Sequence, residues 1–72
     1  MYYKKYISIN SKKRFGRPCI KDTRISVYDI LTWLANGQNM EEIIKDFPEL
    51  NKTKIKAALA FAASKKNKSR VA

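Results

Sequence analysis

The sequence has no histidine, one cysteine, two glycines and two prolines in 72 residues, and its acids number only 6 against 16 Lys and Arg. Each scarcity closes off a chemistry. Without histidine there is no imidazole for a nucleophile pair and no Cys/His zinc site. Cys19 has no partner for an internal disulfide; a lone thiol fits a reducing cytoplasm, where it reads most simply as a small apolar residue in a strand. Long apolar runs are also missing: the longest, Ala57 to Ala63, is seven residues, against about 20 for a membrane-spanning helix. Lys4 and Lys5 resemble the start of a signal peptide, but no apolar stretch follows them. Tyr2, Tyr3, Tyr6 and Tyr28 are phenols without an evident partner base. These features together argue for a cytoplasmic chain off the membrane, with no catalytic residues, no metal and no cofactor. A chain this short forms one domain and buries only about 60% of its unfolded surface. With neither disulfide nor metal to brace it, a second copy or another partner is the expected source of added stability.

What is present is positive charge, and it is unevenly placed. Residues 1–28 hold eight basic groups and one acid, Asp22, for +7. Residues 29–50 hold five acids and one base, for −4. Residues 51–72 hold seven bases and no acid, for +7. Two basic ends around an acidic middle point to a polyanionic partner, most often nucleic acid. Solvated basic tails are the plainer alternative.

Residues 1–12 alternate weakly, with Ile7 and Ile9 against Tyr6, Ser8 and Asn10, as an edge strand or a disordered arm would. Cys19-Ile20 and Arg24 to Val27 are short β-prone pieces around the polar bend Lys21-Asp22-Thr23, a pattern that suits a small hairpin or a strand-like lead-in. Helical signals then take over. Ser26 with Asp29 forms a capping-box pattern, and Ile25 and Ile30 stand at staple positions. Val27, Ile30, Leu31 and Leu34 follow helical spacing, and Asn36-Gly37 supplies the stop. Asn39 with Glu42 repeats the cap and Met40, Ile43, Ile44 and Phe47 the stripe; Pro48 keeps this second helix to about two turns. Asn51 caps a third helix with Ile55, Ala58, Leu59 and Ala62 facing inward, running to about Ser64 before the basic tail.

The third helix has small residues opposite that stripe: Thr53, Ala57, Ala60 and Ser64, flanked by Lys56 on one side and by Lys54 and Phe61 on the other. Such a strip suits entry into a DNA groove, with Lys52, Lys54 and Lys56 reaching phosphates and Asn51 and Thr53 at the helix start. With Phe61 it suits docking of another helix equally. The alanines also have a plain explanation, since they favour helix. Upstream, Lys12, Lys13, Arg14 and Arg17 interleave with Phe15 before Pro18, a stretch able to lie along a phosphate backbone, with Lys21 beyond it. Arg24 either reaches a phosphate or pairs with Asp22 or Asp29, the ion pair being favoured.

The run Phe15-Gly16-Arg17-Pro18-Cys19-Ile20-Lys21-Asp22-Thr23-Arg24-Ile25-Ser26-Val27 resembles a signature of the form F-G-[KR]-P-x-I-[KR]-G-T-R-I-x-V. The segments Leu34-Ala35-Asn36-Gly37, Asp46-Phe47-Pro48-Glu49-Leu50 and Ile55 to Ala62 continue it. The chain thereby resembles a small prokaryotic helix-turn-helix family long catalogued as a domain of unknown function. Members of that family resemble VapB-type antitoxins and often neighbour a PIN-like ribonuclease toxin gene. Asp22 departs from the pattern, where the family usually has Gly. The resemblance implies a mainly α fold, with a short N-terminal β element before a three-helix, homeodomain-like helix-turn-helix. A basic arm over 1–13, a domain over 14–64 and a basic tail over 65–72 would make up the chain. It implies, too, operator DNA binding and neutralisation of a cognate toxin; with the helix-turn-helix pattern and the basic ends, the expectation is an antitoxin that acts as a homodimer, represses its own operon and binds a PIN-like toxin. Arg17, Lys21, Thr23 and Arg24 take the places of the basic-then-T-R-I motif. Lys65, Lys66, Lys68 and Arg70 are candidates to enter the toxin's carboxylate-lined pocket, and Ala57, Ala60, Phe61 and Ser64 for the toxin or dimer contact. The alternatives are an interaction module, or a solitary DNA-binding regulator without a toxin.

Overall fold

The computed structural model describes residues 3–9 and 16–68, the last four by backbone alone. A 3-10 turn over Tyr3–Lys5 leads into strand β1 (Ile7–Ile9). Strand β2 (Pro18–Ile20) and helices α1 (Val27–Ala35), α2 (Met40–Asp46) and α3 (Lys52–Lys68) follow. The architecture is mainly α with a short two-stranded N-terminal sheet, as the sequence led one to expect. No helix among the described residues is long and apolar enough to cross a membrane.

The N-terminal segment is more than an arm. β1 pairs antiparallel with β2, setting Ile7 opposite Ile20, Ser8 opposite Cys19 and Ile9 opposite Pro18. Tyr3 and Ile7 pack against the core, so the domain starts ahead of the boundary expected at residue 14. Ile7 and Ser8 are both half-buried and Ile9, on the same face as Ile7, is 63% exposed, which matches the weakness of the alternation.

The small hairpin expected around Lys21-Asp22-Thr23 exists in reduced form. The Ile20 N–H donates to the Ile25 carbonyl at 2.8 Å, and Cys19 bridges Ser26. Thr23 fixes the bend from inside: its hydroxyl donates to the Ile20 carbonyl at 2.9 Å and accepts from the Ile25 N–H at 3.0 Å. Buried in this way, Thr23 braces the fold and does not face a ligand. Asp22 takes a φ of 65°, the left-handed region that favours glycine.

All three helices begin on caps whose partners stand three residues apart. The Ser26 hydroxyl accepts from the Asp29 N–H at 2.9 Å, and the Asp29 carboxylate accepts from the Ser26 N–H at 3.1 Å. Asn39 and Glu42 repeat this reciprocal pair at 2.8 and 2.9 Å. The Asn51 carboxamide accepts from the Lys54 N–H at 2.8 Å. α1 stops at Asn36 with Gly37 at φ 97°. The Gly37 N–H then reaches the Leu34 carbonyl and the Gln38 N–H the Trp33 carbonyl, closing the last turn. α3 runs one turn past the expected end at Ser64. No Gly or Pro interrupts residues 64–68, and lysines near a helix C-terminus are favoured by the backbone dipole.

α3 is also turned relative to expectation. Ile55, Ala57 and Ala58 are fully buried and Phe61 is 6% exposed, whereas Leu59, expected inside, is 36% exposed. The cause is a second neighbour. α1 and α2 cover one side of α3, and the N-terminal turn and β1 cover another. The Tyr3 ring meets Phe61 edge-on with centroids 5.6 Å apart, and the Tyr3 hydroxyl donates to the Ser64 hydroxyl at 3.2 Å. The small-residue strip is therefore no free face: Ala57 and Phe61 lie in the chain's own core, and Ala60 and Ser64 are half-buried.

The bend makes two opposite predictions. Thr23→Val strands the Ile25 N–H and takes away the hydroxyl bond, so it should cost about 1–3 kcal/mol in denaturant unfolding. Asp22→Gly relieves the left-handed backbone, partly offset by the entropy of a freer unfolded chain, and should raise stability by up to about 1 kcal/mol.

Candidate nucleic-acid interface

The charge left over after folding marks the candidate site. Asp29 and Glu42 are engaged in capping boxes, and Glu41 lies 3.4 Å from Lys52. Three of the five acids of residues 29–50 are thus committed to helix starts or an ion pair. α2, the turn over residues 47–51 and α3 form the helix–turn–helix element of the chain. The turn is closed by the Leu50 N–H on the Phe47 carbonyl at 2.9 Å, and Leu50 anchors it in the core. A stacked pair, Trp33 on Phe47 at 4.5 Å and 10°, holds the same turn against the end of α1.

With Ile55, Ala57, Ala58 and Phe61 turned inward, the outward face of α3 is Lys52, Thr53, Lys56, Leu59 and Ala63. The basic residues stand at its N-terminal half, the end a helix presents when it enters a groove. The candidate lysines are not equivalent. Lys56 is exposed, with no partner among the described residues. Lys52 is exposed beside Glu41, a pairing of two solvated side chains that water and a competing phosphate would readily exchange. Lys54 is half-buried, and its ammonium donates to the Glu49 carbonyl at 2.8 Å, which draws it back over the turn. Asn51 spends its carboxamide oxygen on the cap; Thr53 is exposed.

The other predicted cluster sits on a different element. Arg17 and Lys21 are exposed at the two ends of β2, and β2 packs on β1 and α1. The Lys21 N–H is tied to the Tyr6 carbonyl at 2.8 Å, leaving the side chain outward. Arg24 is exposed and also engaged within the fold. Lys12, Lys13 and Arg14, like Arg70, lie outside the described residues; Lys65, Lys66 and Lys68 fall in the last part of α3 that is described by backbone alone. Among the described residues no group of three or more Cys, Asp or Glu side chains is placed to hold a metal ion. Sequence reasoning missed the apolar region around Tyr3, Ile7 and Ile9; the only hint was two isoleucines in a weakly patterned segment.

A family described as "Protein of unknown function (DUF433)" matches residues 7–62. A relative from Sinorhizobium fredii (strain NBRC 101917 / NGR234), "Uncharacterized protein y4eO", is 34% identical over 47 residues, covering 65% of this chain and 21% of its own length. A crystal structure of a DUF433 member protein from Anabaena variabilis superposes with a TM-score of 0.82 at 22% identity, over 88% of this chain and 62% of that one. At that identity the likeness concerns the fold. The chain spans about a fifth of the Sinorhizobium relative and under two thirds of the Anabaena protein.

Because the lysines of the outward face carry little structural duty, Lys52→Gln and Lys56→Gln should each change unfolding free energy by less than about 0.5 kcal/mol. Asn51→Ala, by contrast, should cost about 1 kcal/mol through loss of the α3 cap. Thermal or urea unfolding of the three variants checks this, and it sets the baseline against which binding losses are read.

Proposed function

We propose that this chain, which belongs to the DUF433 family, is a DNA-binding antitoxin that recognises operator DNA through the outward face of α3 and neutralises a PIN-like ribonuclease in the cytoplasm. One observation carries the DNA half of this reading. A helix that follows a tight turn from α2 exposes Lys52, Thr53 and Lys56 at its N-terminal half, on a chain of net charge +10. In such a role Lys52 and Lys56 contact phosphates and position the helix, while Thr53 is short enough to meet a base edge. Arg17 and Lys21, on β2, extend the phosphate track, as does the basic stretch Lys12, Lys13 and Arg14. A homodimer would set two such helices one helical turn of DNA apart. The toxin half rests on the family resemblance and on the basic C-terminus, whose Lys65, Lys66, Lys68 and Arg70 suit a pocket of metal-binding carboxylates. Burial of Ala57 and Phe61 removes the small-residue strip from the candidates for that contact.

The test is titration of the full chain with duplex DNA from upstream of its own gene, across a salt series. Affinity should fall steeply between roughly 50 and 200 mM salt, and Lys56→Gln should weaken binding and lower the log–log salt slope by about 1. Flat or absent binding would leave a protein-interaction module whose basic ends serve solubility. Co-purification with the product of the adjacent reading frame tests the toxin half separately. Deletion of residues 65–72 should abolish that complex, and unchanged affinity would dismiss the tail.

A further inference from the structure

We propose that the outer edge of β1 takes up a strand from a partner protein: an extended apolar segment flanked by carboxylates. This goes beyond the DNA-binding reading and holds whether or not the chain binds DNA.

The backbone comes first. The sheet has two strands in the order β1-β2, so one side of β1 has no strand beside it among the described residues. The Lys21 N–H donates to the Tyr6 carbonyl at 2.8 Å, which makes Tyr6 and Lys21 a hydrogen-bonded pair of the ladder. Bonded and non-bonded pairs alternate along an antiparallel ladder, so Ser8 faces Cys19 in the next bonded pair. The N–H and C=O groups of Ile7 and Ile9 therefore point away from β2, toward the open edge. An open edge of this kind is a template for a further strand.

The side chains make the same edge attractive to apolar residues. Beside it lies a groove of about 330 Å³ lined by Tyr3, Lys4, Ile7, Ile9 and Phe61. Ile9 is 63% exposed, the most exposed large apolar side chain among the described residues. A strand added along β1 would lay every second side chain over this groove, next to the row of Ile7 and Ile9. Its remaining residues would face solvent.

Charge decides the occupant. Lys4 lines the groove, Lys5 is exposed beside it, and no carboxylate precedes Asp22 in the sequence. A second copy offering its own β1 would bring one N-terminal third of charge +7 against another. The chain's acidic stretch, residues 29–50, is folded into α1 and α2 and offers no free strand. The C-terminal residues 65–72 are basic and would be repelled as well. Positive charge beside an open edge discourages self-association; here Lys4 and Lys5, in the turn that leads into β1, favour a segment that carries glutamate or aspartate.

The probe is a synthetic octapeptide of four valines flanked by two glutamates at each end, titrated into the full isotope-labelled chain and followed by amide NMR. The Ile7 and Ile9 amide signals should shift. Affinity should drop roughly tenfold or more for a peptide with lysine in place of glutamate, and again for one N-methylated at alternate residues, which keeps charge and apolarity but cannot extend the ladder. Ile9→Pro, which removes an outward N–H at a largely exposed position, should do the same on the protein side. Should that variant unfold, the N-methylated peptide on the unaltered chain decides. The proposal is overturned if no β1 amide shifts, or if all three peptides bind alike. It is equally overturned if sedimentation finds the chain dimeric and the folded Ile9→Pro variant monomeric.

Discussion

Phe61 is held on α3 between the interior and the N-terminal turn, and the position of most other elements depends on that contact. Tyr3 meets its ring edge-on, and the neighbouring bond from Tyr3 to Ser64 joins residues 61 apart in sequence. Closing so long a loop costs entropy that only a well-buried contact offsets. Once it is closed, β1 must run alongside α3, β2 must pair with β1, and the bend at Asp22 must return the chain to start α1 over the same core. The bend relies on Thr23, whose buried hydroxyl supplies both a donor and an acceptor across residues 20–25. A residue of the same shape without the hydroxyl could not serve. The T of the signature-like run is thus explained by backbone satisfaction before any ligand is considered.

The same contact explains which parts of the molecule were legible in the sequence. Caps were legible because both partners stand three residues apart: Ser26 with Asp29, Asn39 with Glu42, Asn51 with the Lys54 amide. Helix ends at Gly37 and before Pro48 follow from single-residue backbone preferences. The rotation of α3 was not legible. A helical wheel of Lys52–Ser64 offers alanine on almost every side, so the stripe of Ile55 and Leu59 could be read as the inner face with Phe61 at its margin. What selects Phe61 over Leu59 is Tyr3, nearly sixty residues earlier, and no local pattern reports that pairing. For the candidate site, the lysines were legible as residue types and the exposed face was not. Lys56 and Thr53 keep a place on the outward surface, Lys54 is drawn onto the Glu49 carbonyl, and Ala57 is lost to the core.

Electrostatics completes the separation of roles. Among the five acids of residues 29–50, Asp29 and Glu42 accept backbone amides at helix starts, where negative charge is favoured by the helix dipole, and Glu41 meets Lys52. Three of the five acids thereby stand in the first turns of α1 and α2, while Asp46 closes α2 and Glu49 lies in the turn after it. Among the described basic groups Lys54 is held on the Glu49 carbonyl, Lys52 pairs with Glu41 and Arg24 is engaged within the fold, while Lys56 stands exposed on the outer face of α3. The excess of positive charge remains at the surface as a field that a polyanion can use, and it also discourages two copies from meeting edge to edge.

α3 thus carries two surfaces of different chemistry, and their spacing follows from helix geometry. At 1.5 Å per residue, Lys56 stands about 8 Å and Lys52 about 14 Å along the axis from Phe61. They also point outward while Phe61 points toward the N-terminal turn. A strand laid on β1 would occupy the side of the helix that the turn and sheet already cover. The lysine face would remain open to phosphate. Occupancy of one surface leaves the other sterically free, so any coupling between them must pass through the stability of α3 itself. That stability is limited in so small a core, and a partner strand that buries Ile9 and covers the groove over Phe61 would add to it. Ligands of the two surfaces should then favour each other's binding by holding the same helix in place, without changing its shape.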